Sequence, residues 1–195
     1  MEKLLFFDIE TTGVKFWKNG IHQISGCVEI DGEVKEYFDF KVAPNPSAII
    51  EQEALDVSGV TIEQIQAYEQ MGFVHGKICG LLSKYVGKFD KRDKFFLVGY
   101  NNASFDNQFL RAFFEQCNDK YFGSWFWSSS LDVMVLAAQH LKNVRHNMID
   151  FKLKTVAKEL GIVIDETRLH DAEYDIDITR QIYSIVTNRN IPATA

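Results

Sequence analysis

The chain has 195 residues, enough for one well-cored domain, with 46% hydrophobic and 25% charged residues, the composition of a soluble globular protein. Its formal net charge of −6 argues against a cation-coated protein that grips duplex DNA by counterion release. It leaves room for a nucleic-acid enzyme with a small footprint, because metal-binding acids themselves make the count more negative.

In chain order, "KLLFFDIE" (3–10) reads as a strand covered on both sides, since both alternating faces are apolar. Positions two apart share a face, so Asp8 and Glu10 project together, on the side of Phe6. Two like charges there are costly unless a cation or strong donors compensate. Either Glu10 already reaches solvent and Asp8 ends the strand, or a divalent metal sits between them; this stretch alone leaves both open. "IHQISGCVEI" and "EVKEYFDFKV" follow as strands joined by a hairpin turn through Asp31 and Gly32, and "APNPSAII" is a loop. Helical spacings dominate from Ser47 to Tyr85, with Thr61 placed to cap "TIEQIQAY". "GKFDKRDK" is a charged surface turn, and "FFLVGYN" is a short buried strand.

"SFDNQFLRAFFEQC" carries an apolar helical stripe of Phe105, Phe109, Ala112 and Phe113. "LDVMVLAAQHL" and "DFKLKTVAKELGI" predict two more helices, the second stopped at Gly161. A last helix is expected from Asp171 to Asn188, and Pro192 begins a tail. Three strands, a strand–helix pair and then helices predict an α/β fold with a mixed sheet, as one domain over residues 1–190 with 191–195 as the tail. No run is long enough to cross a bilayer, and no signal-peptide pattern opens the chain, so a cytoplasmic location is expected. Cys27, Cys79 and Cys117 read as reduced core residues without zinc spacing.

Two further acids fall on faces that should be apolar. The last helix turns Ala172, Ile176, Thr179, Ile182, Tyr183 and Val186 inward, and Asp175 lies on that stripe, whereas Asp171 and Asp177 lie further round. Asp106 occupies the opening turn of the Phe-rich helix, where an acid also suits the helix dipole. His170, five positions ahead of Asp175, belongs to the preceding loop. His22, His75, His140 and His146 read as solvated surface.

Together, "DIE", "NNASFDNQFL" and "HDAEYD" resemble the three signature motifs of the DEDDh 3′–5′ exonucleases, a family that includes proofreading subunits of bacterial replicative polymerases, RNase T and oligoribonuclease. The flanking text follows the family's order too, through "EALDVSGVT", "LDVMVLA" and "LKTVAKELGI", so the resemblance runs from about Leu4 to Val186. It implies a ribonuclease H-like fold, a five-stranded mixed sheet with helices on both faces, and two divalent cations, Mg²⁺ or Mn²⁺. It gives Asp8 a bridging place between both metals, Glu10 and Asp175 the ion that activates water, and Asp106 the second ion. His170 becomes the general base, neutral near pH 7. Thr11, Thr12 and Gly13 would hold the 3′ end, with Asn102, Ser104 and Phe105 at the other rim. Phe16 and Trp17 are either stacking surfaces for single-strand bases or the pins of their own loop.

Two positions depart from the family pattern, Ser58 before Gly59 and Asp171 after His170, and they leave base preference and sugar type open. The expected activity is release of nucleoside monophosphates from single-stranded or frayed 3′ ends, with DNA favoured weakly and roles in repair or proofreading. The expected partners are a single-stranded DNA or RNA 3′ end and a polymerase or a replication or repair protein, with no membrane and no defined oligomeric state. RNA trimming and a catalytically inactive binding module are the alternatives; the presence of all four acids and the histidine speaks against the latter.

Overall fold

The computed structural model describes residues 1–168 and 172–189. Its centre is β1 (Lys3–Thr11), whose Leu4, Leu5, Phe6 and Phe7 are all buried, as a strand covered on both faces requires. β2 (Ile21–Ile30) pairs antiparallel with β1, and β3 (Glu33–Lys41) pairs antiparallel with β2. Asp31 and Gly32 join them with φ of 50° and 86°, the paired positive angles of a tight hairpin turn. Gly26 of β2 allows the close approach: a Cβ there would stand 2.3 Å from the Phe6 carbonyl oxygen and 2.5 Å from the Phe38 ring.

The stretch that reads as helical after Ser47 is three helices, α1 (Gln52–Ser58), α2 (Ile62–Gln66) and α3 (Met71–Ser83). Gly59 ends α1 in the left-handed conformation, and Thr61 opens α2 with a capping box closed by Gln64. β4 (Phe96–Gly99) then runs parallel to β1 and leads into α4 (Asp106–Gln116). The short α5 (Phe122–Trp125) comes next. β5 (Leu131–Asp132) follows, parallel to β4, and passes directly into α6 (Val133–His140). The sequence reading started a helix at Leu131; two residues are too few for alternation to betray a strand. α7 (Leu153–Glu159) and α8 (Ala172–Val186) complete the order.

The sheet order is β3-β2-β1-β4-β5, so the expected five-stranded mixed sheet stands. Leu5, Phe7 and Ile9 of β1 pack with Val74 and Ile78 of α3 and Phe109 and Phe113 of α4. Leu4 and Phe6 pack on the other face with Val133 of α6, Val156 of α7 and Ile176, Ile178 and Ile182 of α8. α8 is fastened further by a buried ion pair, Arg180 Nη2 to Glu29 Oε2 of β2 at 2.7 Å, with Arg180 also donating through Nε at 3.1 Å. Tyr37 of β3 donates to Asp177 at 2.7 Å. No described helix is long and apolar enough to cross a membrane.

Candidate active site

β1 outlasts its parallel neighbour. Its pairing with β4 ends at Phe6 opposite Val98, while β1 continues to Thr11. A fork opens there beyond the carboxyl ends of two adjacent parallel strands, the place where open α/β sheets bind ligands. Asp8 and Glu10 stand on the overhanging part of β1. Asp106 is the first residue of α4, the helix that leaves β4, and Asp175 comes in from the first turn of α8. A cavity of about 200 Å³ is bounded by Phe6, Asp8, Tyr100 and Asp175. Tyr100 is held there by donating its hydroxyl to the Phe151 carbonyl at 2.7 Å.

The acids feel one another. Burial raises the Asp8 carboxyl well above the usual range, and the charges of Asp106, Glu10 and Asp175 raise it further. Burial likewise pushes Asp106 up to about 7, with Asp132 and Glu10 adding to the effect. The backbone N–H of Ile9 pulls both carboxyls down, as does the amide of Asp106 on its own side chain. The structure thus brings Asp8, Glu10, Asp106 and Asp175 into one electrostatic cluster. His170 lies outside the described residues. A recessed set of mutually repelling carboxylate oxygens is a donor set suited to hard divalent cations, which would lower all of these proton affinities together.

Two supports of the cluster were not assigned from sequence. Ser58, marked only as a departure from the family pattern, donates its hydroxyl to Glu10 Oε2 at 2.7 Å. Asp132 accepts backbone N–H groups from Asn101 and Met134 at 3.0 Å and from Ala103 at 3.2 Å, capping α6 and clamping the turn that leads to Asp106. An acid directly before an apolar helical run is a cap signal, and "LDVMVLA" carries it.

The six residues expected at the substrate fall into different situations. Thr12 is fully buried; its hydroxyl donates to the Ile49 carbonyl at 2.8 Å and accepts from the Gly20 N–H at 2.9 Å. Thr11 donates to the Gly13 carbonyl at 2.7 Å. Gly13, at φ 156°, presses on Asn19, whose amide nitrogen would lie 2.3 Å from an added Cβ. Asn102 is buried; its amide nitrogen lies 3.3 Å from Asn107 Oδ1, and its Oδ1 has no partner among the described residues. Ser104 is exposed and bonds to Asn101, whereas Phe105 packs on Phe109 with ring centres 5.0 Å apart.

Phe16 is pinned against the core by Phe109 and by Trp17, but Trp17 itself is 71% exposed. A larger cleft, about 580 Å³, is lined by Phe16, Arg111 and Trp127 and is separate from the cavity beside Asp8. The surface reading of His22 is overturned. It is 1% exposed on β2, neither ring nitrogen finds a partner among the described residues, and burial drops its pKa to about 4. His75 is also partly buried, beside Asp119.

The RNase_T model, described as an exonuclease, matches residues 5–183. A PolC-type DNA polymerase III from Mycoplasmopsis pulmonis is 25% identical over 183 residues, which cover 93% of this chain and 11% of that protein. Crystalline Escherichia coli exonuclease I in complex with a dT13 oligonucleotide superposes with a TM-score of 0.76 at 21% identity, over 97% of this chain and 42% of that one. Its zinc-bound complex with single-stranded DNA gives 0.75 at 21% identity, over 96% and 41%. The chain therefore spans about a tenth of the polymerase and two fifths of the nuclease, and the likeness to the nuclease is one of fold.

Proposed function

The chain belongs to the RNase_T exonuclease family, 3′–5′ exonucleases of the DEDD type, and on that premise we propose that it releases nucleoside monophosphates from the 3′ ends of single-stranded or frayed nucleic acid. The observation that carries this reading is the convergence of Asp8, Glu10, Asp106 and Asp175 at the fork between β1 and β4, where each of the other three raises the proton affinity of Asp8. Two hard divalent cations held by these four acids would supply Lewis-acid stabilisation of the attacking and leaving oxygens of an in-line displacement at phosphorus. Asp8 would be the acid common to both cations, with Glu10 and Asp175 holding charge toward the attacking water and Asp106 toward the leaving oxygen.

The remaining roles fall to the chain's own groups. Ser58 holds Glu10 in one rotamer. His170 accepts the proton of the attacking water, following the family motif in which it sits. Thr12, committed to Ile49 and Gly20, braces the turn from Thr11 to Gly13, and the backbone of that turn meets the terminal nucleotide. Exposed Trp17 offers a face on which a single-strand base stacks. DNA is the favoured substrate, since the oligonucleotide bound to exonuclease I is DNA and the polymerase relative makes DNA. A polymerase or a repair protein is the corresponding partner.

Matched single-stranded DNA and RNA oligomers, labelled at either end, test this with Mg²⁺, Mn²⁺ or EDTA. Stepwise shortening from the 3′ end with metal, faster on DNA, is expected. Faster shortening of RNA would make the enzyme a 3′ trimming ribonuclease. Loss from the 5′ end, internal cuts alone, or no cleavage under any metal would overturn the proposal. His170→Ala is expected to cut turnover by roughly a hundredfold or more while the Mn²⁺ affinity stays within about twofold; a lost metal affinity would remove His170 from the role of base.

A further inference from the structure

Away from the acid cluster, α3 and the turn after α4 bring three other metal-binding side chains together. His75 and Cys79 are four apart on α3 and so share one face of that helix. Asp119 follows α4, where Asn118 turns the chain at φ 59°. His75 Nε2 lies 3.1 Å from Asp119 Oδ2 and 3.6 Å from Cys79 Sγ, and the sulfur lies 4.0 Å from the same carboxylate oxygen. The point equidistant from these three atoms is about 2.1 Å from each, at zinc–nitrogen and zinc–oxygen bond length and about 0.2 Å short of a zinc–sulfur bond.

The three groups are also held in place. Asp119 Oδ1 accepts the N–H of Tyr121 at 2.7 Å, which turns Oδ2 toward the other two ligands. His75 packs on Phe114 in a T-shaped contact, with ring centres 4.8 Å apart and planes at 80°. A His–Asp ion pair alone would account for one of the three approaches; it does not account for the thiol meeting both partners. One nitrogen, one sulfur and one oxygen suit a borderline-soft ion, whereas the all-oxygen cluster at Asp8 suits a hard one.

We propose that His75, Cys79 and Asp119 form a second metal site, selective for zinc, that staples α3 to the turn after α4. The Cys79 thiol gives up its proton to solvent as the sulfur–zinc bond forms, and water takes the fourth position. With Asp132 clamping the turn before α4, the helix carrying Asp106 is then held beyond both ends.

Cobalt(II) titration of the metal-stripped full chain tests the site, because only a thiolate ligand gives a sulfur-to-cobalt charge-transfer band in the near ultraviolet. The wild type is expected to develop the band with one equivalent of cobalt and lose it when zinc is added. Asp8→Asn retains it; Cys79→Ser abolishes it and His75→Ala weakens cobalt binding at least tenfold. No band in the wild type, or a band that survives Cys79→Ser, would overturn the proposal. Should Cys79→Ser not fold, alkylation of the wild type by iodoacetamide decides. Zinc is expected to slow modification of Cys79 at least tenfold by peptide mapping, and an unchanged rate would sink the site.

Discussion

Two groups of recessed charge meet on α8, one paired within the protein and the other gathered from acids alone. Toward its middle, Arg180 meets Glu29 with both side chains 8% exposed, and the pair closes within the protein. At its first turn Asp175 joins Asp8, and the charges acting most strongly on Asp8 are all carboxylates. The first arrangement is complete and anchors a helix to a sheet. The second gathers like charge, which a cation brought from outside would offset. His22 shows a third answer: buried with no partner among the described residues, its imidazole is pushed toward the neutral form.

Breaking the open cluster should cost activity rather than structure. Asp8→Asn is expected to lower kcat roughly a thousandfold or more while the melting temperature of the metal-free protein holds or rises, since repulsion is relieved. Steady-state kinetics alongside calorimetry in EDTA check both halves; a large loss of stability would place Asp8 in the fold rather than in the chemistry. Breaking the closed pair should do the reverse. Glu29→Gln leaves Arg180 buried against an uncharged amide and is expected to destabilise the chain by about 3–5 kcal/mol in urea. Replacing both partners by apolar residues of similar volume should recover most of that loss.

His22 sharpens the contrast through pH. Its folded pKa lies at about 4, below the ordinary 6.5, so between those values the unfolded chain holds a proton that the folded chain does not. Stability therefore rises with pH across that window, is fully present above 6.5 and is lost as pH falls. The contribution is roughly 2–3 kcal/mol. His22→Leu should flatten that part of the curve in urea titrations from pH 4 to 7. The smallest effect belongs to Ser58→Ala, which frees Glu10 without changing any charge. Mn²⁺ affinity is expected to fall about tenfold, read by isothermal titration, with the fold unchanged.

Much of the acid cluster was legible because its members break a pattern. Asp8 and Glu10 end an apolar strand, and Asp175 falls on an apolar helical stripe, so each stands out against its neighbours. Asp106 was ambiguous alone, an acid where helix dipoles welcome acids; only the ordered motifs joined it to the others. Asp132 stayed hidden because its strand is two residues long and its work is to accept backbone N–H groups. His22 was misread because a lone polar residue on a strand gives no sign of which face will be covered. His75, Cys79 and Asp119 escaped for a different reason: their nearness depends on two helices packing together, and chain spacing does not record that.

The lateness of α8 has its own effect. Asp8 and Asp106 reach their places with the sheet and α4, but Asp175 arrives on α8, the last described helix, which also packs on Leu4 and Phe6. During synthesis the N-terminal elements emerge first. A chain made only through α7 thus leaves part of the face of Leu4 and Phe6 uncovered and lacks the fourth acid of the cluster.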